Sequence, residues 1–182
     1  MDLVLIIVAI LVVAAIAVAA TMLWTRSGRS AELRERFGDD YDRRLESTGD
    51  RKAVEAELRD VLDRREELSI RPLPAEDRDR YAHRWQEVQA SFVDRPGRAV
   101  NEADLLVTEV MEQRGYPVDR FDEQYDMVAA DHAAVADHYR AAHAIHVRNV
   151  ASEATTDDLR DALLHYRALF DELLADETTA RT

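Results

Sequence analysis

The chain opens with an unbroken apolar run and then changes to a pattern in which apolar residues recur every three or four positions. Residues 3–24 read LVLIIVAILVVAAIAVAATMLW, and Thr21 is the only polar side chain among them. A helix of that length extends about 33 Å, which is enough to cross a bilayer core of about 30 Å. Trp24 ends the run at the headgroup level that an indole prefers. The pattern predicts one transmembrane helix over residues 3–24.

A cleaved signal peptide is the alternative to a retained anchor. Ala17-Val18-Ala19 is an acceptable small-x-small cleavage site. However, Met1 and Asp2 supply no basic n-region, and the apolar run is longer than an h-region of about 7–15 residues. We therefore expect a single-pass anchor. Cleavage or inversion would instead make the domain a secreted or extracytoplasmic cell-envelope factor.

The charges on the two sides of the apolar run predict its orientation. No basic side chain precedes the run, whereas arginines are frequent just after it, at Arg26, Arg29, Arg34, Arg36, Arg43 and Arg44. Basic flanks stay on the cytoplasmic side of a membrane. We therefore expect a cell-membrane protein whose soluble domain is cytoplasmic.

Beyond the anchor, the periodicity predicts an all-α protein with a small soluble bundle of about five helices. Five Gly and four Pro in 182 residues favour long helices over strands and turns. We expect a charged juxtamembrane linker at 25–49, in which the helix continues or restarts at Ala31 and breaks near Gly38. A helical domain at 50–176 and a C-terminal tail at 177–182 follow. The predicted helices cover about residues 50–68, 75–93, 99–114, 118–150 (divided near Asp131, which would cap the second part) and the segment after Thr155.

Local signals mark several helix ends. The segment IRPLP at 70–74 stops the first helix because two prolines force an extended link. Gly115 followed by Pro117 is typical of a helix C-terminus. Thr155 with Asp158 resembles a capping box. These signals predict where the chain turns from one helix of the bundle to the next.

An aromatic stripe lies on the second predicted helix, where Tyr81, Trp85, Val88 and Phe92 recur at helical spacing. Such a stripe can face a ligand, but aromatic residues at this spacing more often pack in a core. We expect Trp85 in the core and an antiparallel hairpin between this helix and the next.

Composition and charge exclude several classes of function. The net charge is −13, and the basic residues, nearly all Arg, alternate with Asp and Glu. Such a surface repels phosphate, so we expect no nucleic-acid partner. Cysteine is absent, which excludes a disulfide framework, a thiol nucleophile and a thiolate metal site.

The histidines are the main candidates for chemistry, because five of the six lie in the C-terminal part of the chain: His132, His138, His143, His146 and His165. At 100° per residue His143 and His146 share a helical face and His138 points elsewhere. A metal ion would need further ligands from His165 or His83. The weak metal candidates are therefore His143, His146 and His165. The alternative is that these histidines occupy packing positions, since HExxH and ExxH spacings are missing.

No other motif indicates catalysis. The serines lie in no nucleophile elbow, and no glycine-rich phosphate loop is present. The segment DDYDR at 39–43 lacks the spacing of a calcium loop. We therefore assign no catalytic residue and expect no cofactor.

Several short segments resemble a family of uncharacterised membrane-anchored or secreted proteins of actinobacteria and some other bacteria. The resembling segments are RFGDDYDR at 36–43, IRPLP at 70–74, RWQEVQASFVDRPGRAVNEADLLV at 84–107, RGYPV at 114–118, YRAAHAI at 139–145 and DDLRDALLHYRALFDELL at 157–174. The resemblance implies a defined fold and no particular activity. Members often have Pro after the histidine that matches His132, where this chain has Ala133.

These observations favour a membrane-tethered interaction or scaffold module that binds a protein partner and has no catalytic activity. The competing hypothesis is a metal-binding or hydrolytic protein built on the histidines of the C-terminal helices. Convergence of three or more of these side chains would favour a site.

Overall fold

The structure, a computed structural model, describes residues 30–175. The predicted transmembrane helix (3–24) and the C-terminal tail (177–182) lie outside the described residues. Among the helices of the described part, none is long and apolar enough to cross a membrane.

Residues 30–175 are all-α and contain no strand, which confirms the predicted fold class for this part of the chain. This part of the chain forms eight helices, so the expectation of about five was wrong. They are α1 (30–37), α2 (Asp39–Thr48), α3 (Arg51–Glu67), α4 (Ala75–Ser91), α5 (Pro96–Arg114), α6 (Phe121–Asp131), α7 (Ala133–Val150) and α8 (Thr156–Leu174).

Three helices account for the difference: α1 and α2 lie within the expected linker, and the division of the run after Pro117 gives one more. Gly38, with φ 53° and ψ −130°, separates α1 from α2 in a conformation that L side chains rarely adopt. His132, with φ −136° and ψ 52°, separates α6 from α7. Most of the described part of the expected linker (25–49) is therefore helical, and the run after Pro117 is divided near Asp131, as expected.

The chain divides into two compact units, and the boundary between Glu55 and Ala56 lies inside α3. In the described part of the first unit, Phe37 and Tyr41 are buried. The carboxylate of Glu55 accepts hydrogen bonds from Ser30 Oγ and from the Tyr41 hydroxyl, the latter at 3.4 Å. These contacts join α1 and α2 to the start of α3.

The second unit has buried apolar side chains on every helix from α4 to α8. The apolar residues that recur at helical spacing along α5 are all buried: Val100, Ala103, Leu106, Val107 and Val110. Trp85 of α4 is 4% exposed, and its ring stacks on Phe170 of α8 with 4.7 Å between centroids. The expectation that Trp85 lies in the core is confirmed.

Two of the resembling segments, 70–74 and 114–118, lie side by side at the end of α5. Arg71 N donates to Arg114 O at 2.9 Å, and the buried Arg114 guanidinium donates to Leu173 O at 2.9 Å. Gly115 has φ 99°, and a Cβ atom there would lie 2.9 Å from Ser69 O. The close approach and the positive φ both require glycine.

The capping box at the start of α8 is confirmed, because Thr155 and Asp158 exchange hydrogen bonds between side chain and backbone in both directions. The expectation that Asp131 caps α7 was wrong. Asp131 is the last residue of α6, and its carboxylate accepts from Arg65 Nε at 2.5 Å and from the Tyr116 hydroxyl at 2.9 Å. His132 takes the capping position of α7 without a side-chain cap.

Candidate functional site

The carboxylate of Asp104 on α5 is the centre of a polar cluster in the second unit. His143 Nδ1 and His146 Nε2, one turn apart on α7, lie 3.9 and 3.8 Å from its two oxygens. The Tyr166 hydroxyl of α8 donates to Asp104 Oδ1 at 2.7 Å. Three helices therefore supply this Asp104 cluster, defined as Asp104, His143, His146 and Tyr166.

Aromatic packing holds the histidines of the cluster in place. The ring of His143 stacks on Phe121, the first residue of α6, with 3.6 Å between centroids and 7° between planes. The ring of His146 lies 5.9 Å from that of His143. The Nδ1 atom of His146 is buried, and no hydrogen-bond partner for it occurs among the described residues.

The electrostatics of the cluster favour an ionised Asp104. Burial alone would raise the pKa of this carboxyl, but favourable interactions with His143, Tyr166 and His146 outweigh burial and hold the pKa below its ordinary value. Burial, followed by the charge of Asp104, raises the pKa of Tyr166. Asp104 is therefore an anionic acceptor and Tyr166 a neutral donor.

The third metal candidate, His165, lies elsewhere. Its Nδ1 atom is 2.7 Å from Nδ1 of His138, which joins α8 to α7 through two histidines. Burial, and then the nearby charge of His138, lower the pKa of His165 against the opposing effect of Asp161. The predicted grouping of His143, His146 and His165 is therefore split between two places.

The remaining histidines have other neighbours. His132 lies between Tyr116, whose hydroxyl is 3.1 Å from Nε2, and Glu172, whose carboxylate is 3.1 Å from Nδ1. His83 is an exposed residue of α4 whose Nδ1 lies 3.5 Å from Glu87. Neither histidine joins the Asp104 cluster.

None of these arrangements has the geometry of a metal site with three or more ligands. Within residues 30–175, no group of three His, Asp or Glu side chains is placed so that it could hold a metal ion. In the Asp104 cluster the nitrogen-to-oxygen distances exceed the separation of about 3.3 Å expected around a tetrahedral zinc ion. The cluster is better described as a partly buried ion and hydrogen-bond network.

A groove between α4 and α5 is a second candidate site. It has a volume of about 430 Å³ and is lined by Arg84, Glu87, Val88, Ser91, Glu102, Leu105, Leu106 and Glu109. Leu105 is 61% exposed although it is a large apolar side chain. Arg84 forms a two-pronged ion pair with Glu109 across the groove. The lining therefore combines an exposed leucine with an excess of carboxylates.

Asp104 and Phe121 complete the surroundings of His143 and His146, and neither was predicted to be a site residue. Asp104 follows Ala103, which lies on the apolar face of the helix, so the helical spacing places Asp104 beside that face. Which helix faces Asp104 was not visible, because helical periodicity contains no information about the neighbour.

Comparison with known proteins adds no relative. No protein-family model matches the chain, and no match is found among curated proteins or among solved structures. The resemblance stated for residues 36–43 and the other segments stays a prediction.

Proposed function

We propose that this protein is a membrane-tethered interaction module whose α4–α5 groove binds a basic amphipathic helix of a partner protein. The observation that carries the proposal is the exposure of Leu105 inside a groove. An amphipathic helix inserts an apolar side chain into such a groove and places its polar residues along the rim.

The charges around the groove select the chemistry of the partner. Glu87, Glu102 and Glu109 outnumber Arg84 in the lining. Glu109 is paired with Arg84, and Glu102 accepts a hydrogen bond from Arg98 Nε at 2.7 Å on the exposed surface. A basic segment can replace or extend these exposed ion pairs, whereas an acidic segment would be repelled.

Site-specific photocrosslinking tests this proposal. A photoreactive amino acid replaces Leu105 in the full-length chain, and the matched control replaces Leu164, which is 60% exposed on α8 and is not part of the groove lining. We expect crosslinks from position 105 to a defined basic helical peptide, identified by mass spectrometry, and none to that peptide from position 164. Leu105→Arg should abolish complex formation and Leu164→Arg should not.

Three results would contradict the groove as the docking site. These are equal crosslinking from both positions, a crosslinked peptide that is acidic, and a complex that survives Leu105→Arg. The isolated peptide provides an independent measurement, since its affinity should weaken with salt if the carboxylates contribute.

Membrane attachment and cytoplasmic orientation are part of the same proposal and are supported by the apolar run at 3–24 and the arginines after it. We expect the protein to stay with membranes after a high-salt wash. A C-terminal alkaline phosphatase fusion should be inactive and a fluorescent-protein fusion bright. An active phosphatase fusion would overturn the orientation, and a mature protein beginning near Ala20 would overturn the anchor.

A metal-binding or hydrolytic function built on His143 and His146 has less support. In its favour, both rings lie beside the ionised Asp104. Against it, His165 is paired with His138 instead of completing the group. A hydrolytic reaction would also need an open cavity, and the α4–α5 groove does not include any residue of the Asp104 cluster.

A further inference from the structure

Two histidines face each other on the outer surface of the α7–α8 pair. Nδ1 of His138 lies 2.7 Å from Nδ1 of His165, and the ring centroids are 5.0 Å apart. His138 is exposed and His165 is half-buried. Two ring nitrogens at this separation either share one proton or both direct lone pairs at a cation.

The separation is close to that of two neighbouring ligands on one metal ion. With metal–nitrogen bonds of about 2.0–2.1 Å, adjacent nitrogens are about 2.9 Å apart at a right angle and about 3.4 Å apart in a tetrahedron. The observed pair therefore needs to open by only a few tenths of an ångström for the right-angled geometry. We propose that His138 and His165 chelate a divalent transition-metal ion between α7 and α8, with Cu²⁺ bound more tightly than Ni²⁺ or Zn²⁺.

The preference for Cu²⁺ follows from ligand type and geometry. Imidazole suits Cu²⁺, Ni²⁺ and Zn²⁺, and tetragonal coordination at right angles is typical of Cu²⁺ and Ni²⁺. The two histidines occupy adjacent positions of the ion, and water completes the coordination at this exposed site. Asp161, four residues before His165, adds negative charge beside the ion.

The backbone holds the two histidines in register. Each precedes a buried tyrosine, Tyr139 on α7 and Tyr166 on α8. The two helices form an antiparallel hairpin through residues 151–155, and Arg148 donates to Asp158 at 2.9 Å near the turn. Preorganised ligands lose little conformational freedom when the ion binds.

The lowered pKa of His165 agrees with this arrangement. Burial and the neighbouring His138 disfavour the protonated ring, and a metal ion binds only the neutral imidazole.

Metal-dependent thermal stability of the full-length chain tests the site. The protein is purified in detergent without a histidine tag, stripped with EDTA and titrated with Cu²⁺, Ni²⁺ or Zn²⁺. Binding to the folded state alone should raise Tm by about 5–10 °C at a hundredfold excess over the Kd, and EDTA should reverse the rise. His138→Asn and His165→Asn should each weaken binding by at least about tenfold.

Two control variants distinguish this site from the other histidines. His83→Asn removes an exposed histidine on α4, and His146→Asn disrupts the Asp104 cluster. Both should keep the metal-dependent rise. The pulsed electron paramagnetic resonance spectrum of the Cu²⁺ complex should show remote imidazole nitrogens that disappear in the His138→Asn His165→Asn double variant.

The proposal is overturned if metal does not raise Tm of the wild-type chain, or if the double variant retains the rise or the imidazole signal. Loss of the rise in His146→Asn, with its retention in the double variant, would move the site to the Asp104 cluster. None of these outcomes depends on the α4–α5 groove, so they are separate from the test of the proposed function.

Discussion

Two neighbouring turns of α8 pack in different surroundings, one apolar and one charged. Phe170 stacks on Trp85 of α4 in an apolar contact, whereas Tyr166, one turn earlier, donates to the Asp104 carboxylate of α5. Each region also contains one buried nitrogen that has no partner among the described residues, Trp85 Nε1 and His146 Nδ1. The same helix therefore contributes to stability by dispersion and burial in one turn and by a charged hydrogen bond in the next.

The two regions should respond differently to substitution and to a change of pH. An apolar contact depends on volume and is insensitive to pH, because neither ring titrates. The Asp104 cluster depends on an ionised group that must be kept solvated by its neighbours. Truncation of a side chain should therefore destabilise the Trp85–Phe170 contact most. Removal of a proton donor or of a charge should destabilise the Asp104 cluster most.

The largest effect is expected for Trp85→Ala, which leaves a cavity against Phe170. Such truncations cost about 3–5 kcal/mol. Trp85→Phe should cost less than Trp85→Ala, because it keeps an aromatic ring against Phe170 and removes an N–H group that has no acceptor in the described part of the chain. Urea unfolding of the full-length chain, followed by circular dichroism, measures both. Equal losses for Trp85→Ala and Trp85→Phe would contradict the importance of the aromatic contact with Phe170.

An intermediate effect is expected for Tyr166→Phe, which removes the donor to Asp104. Hydrogen bonds to charged groups contribute about 1.5–3 kcal/mol, against about 0.5–1.5 kcal/mol for neutral pairs. Tyr139→Phe is the matched control, since the buried Tyr139 hydroxyl donates at 2.7 Å to the neutral Gln124 side chain. A loss at Tyr139 as large as that at Tyr166 would contradict the importance of the charge.

The smallest effect is the pH dependence that Asp104 adds. Its folded-state pKa is lowered, so the ionised carboxylate stabilises the protein above the unfolded-state pKa, and this contribution is lost as the pH falls through the folded-state pKa. The difference in unfolding free energy between the wild type and Asp104→Asn should therefore shrink as the pH falls below about 4. Parallel pH profiles would contradict the lowered pKa. The titratable side chains that face the carboxylate are the same in the wild type and in the Asp104→Asn variant: His143, His146 and Tyr166.

The difference between the two regions also explains what could be predicted for each. Trp85 was assigned to the core from the spacing of the aromatic stripe alone, and its burial confirmed the assignment. His143 and His146 were placed on a common face correctly, since their rings are 5.9 Å apart. Their acidic neighbour was not identified, because Asp104 comes from α5, about forty residues earlier, and no local rule joins the two positions.

The break between α6 and α7 shows a further limit. The sequence indicated a division near Asp131, and the chain does divide there. The expected reason was a cap on α7, but Asp131 instead accepts from Arg65 and Tyr116. A short polar residue can cap a helix or bind distant side chains, and only the surrounding structure determines which occurs.

The sequence by itself determined the all-α class of the described residues, the capping box of α8, the glycine at the end of α5 and the inner faces of α4 and α5. These depend on interactions between residues one to four positions apart, which periodicity and capping chemistry reflect directly. The tertiary structure alone decided that Asp104 lies between His143 and His146, that His165 pairs with His138, and that Leu105 remains exposed in a groove. These depend on the relative register of separate helices, which is selected by packing across the bundle and is not encoded in any one segment.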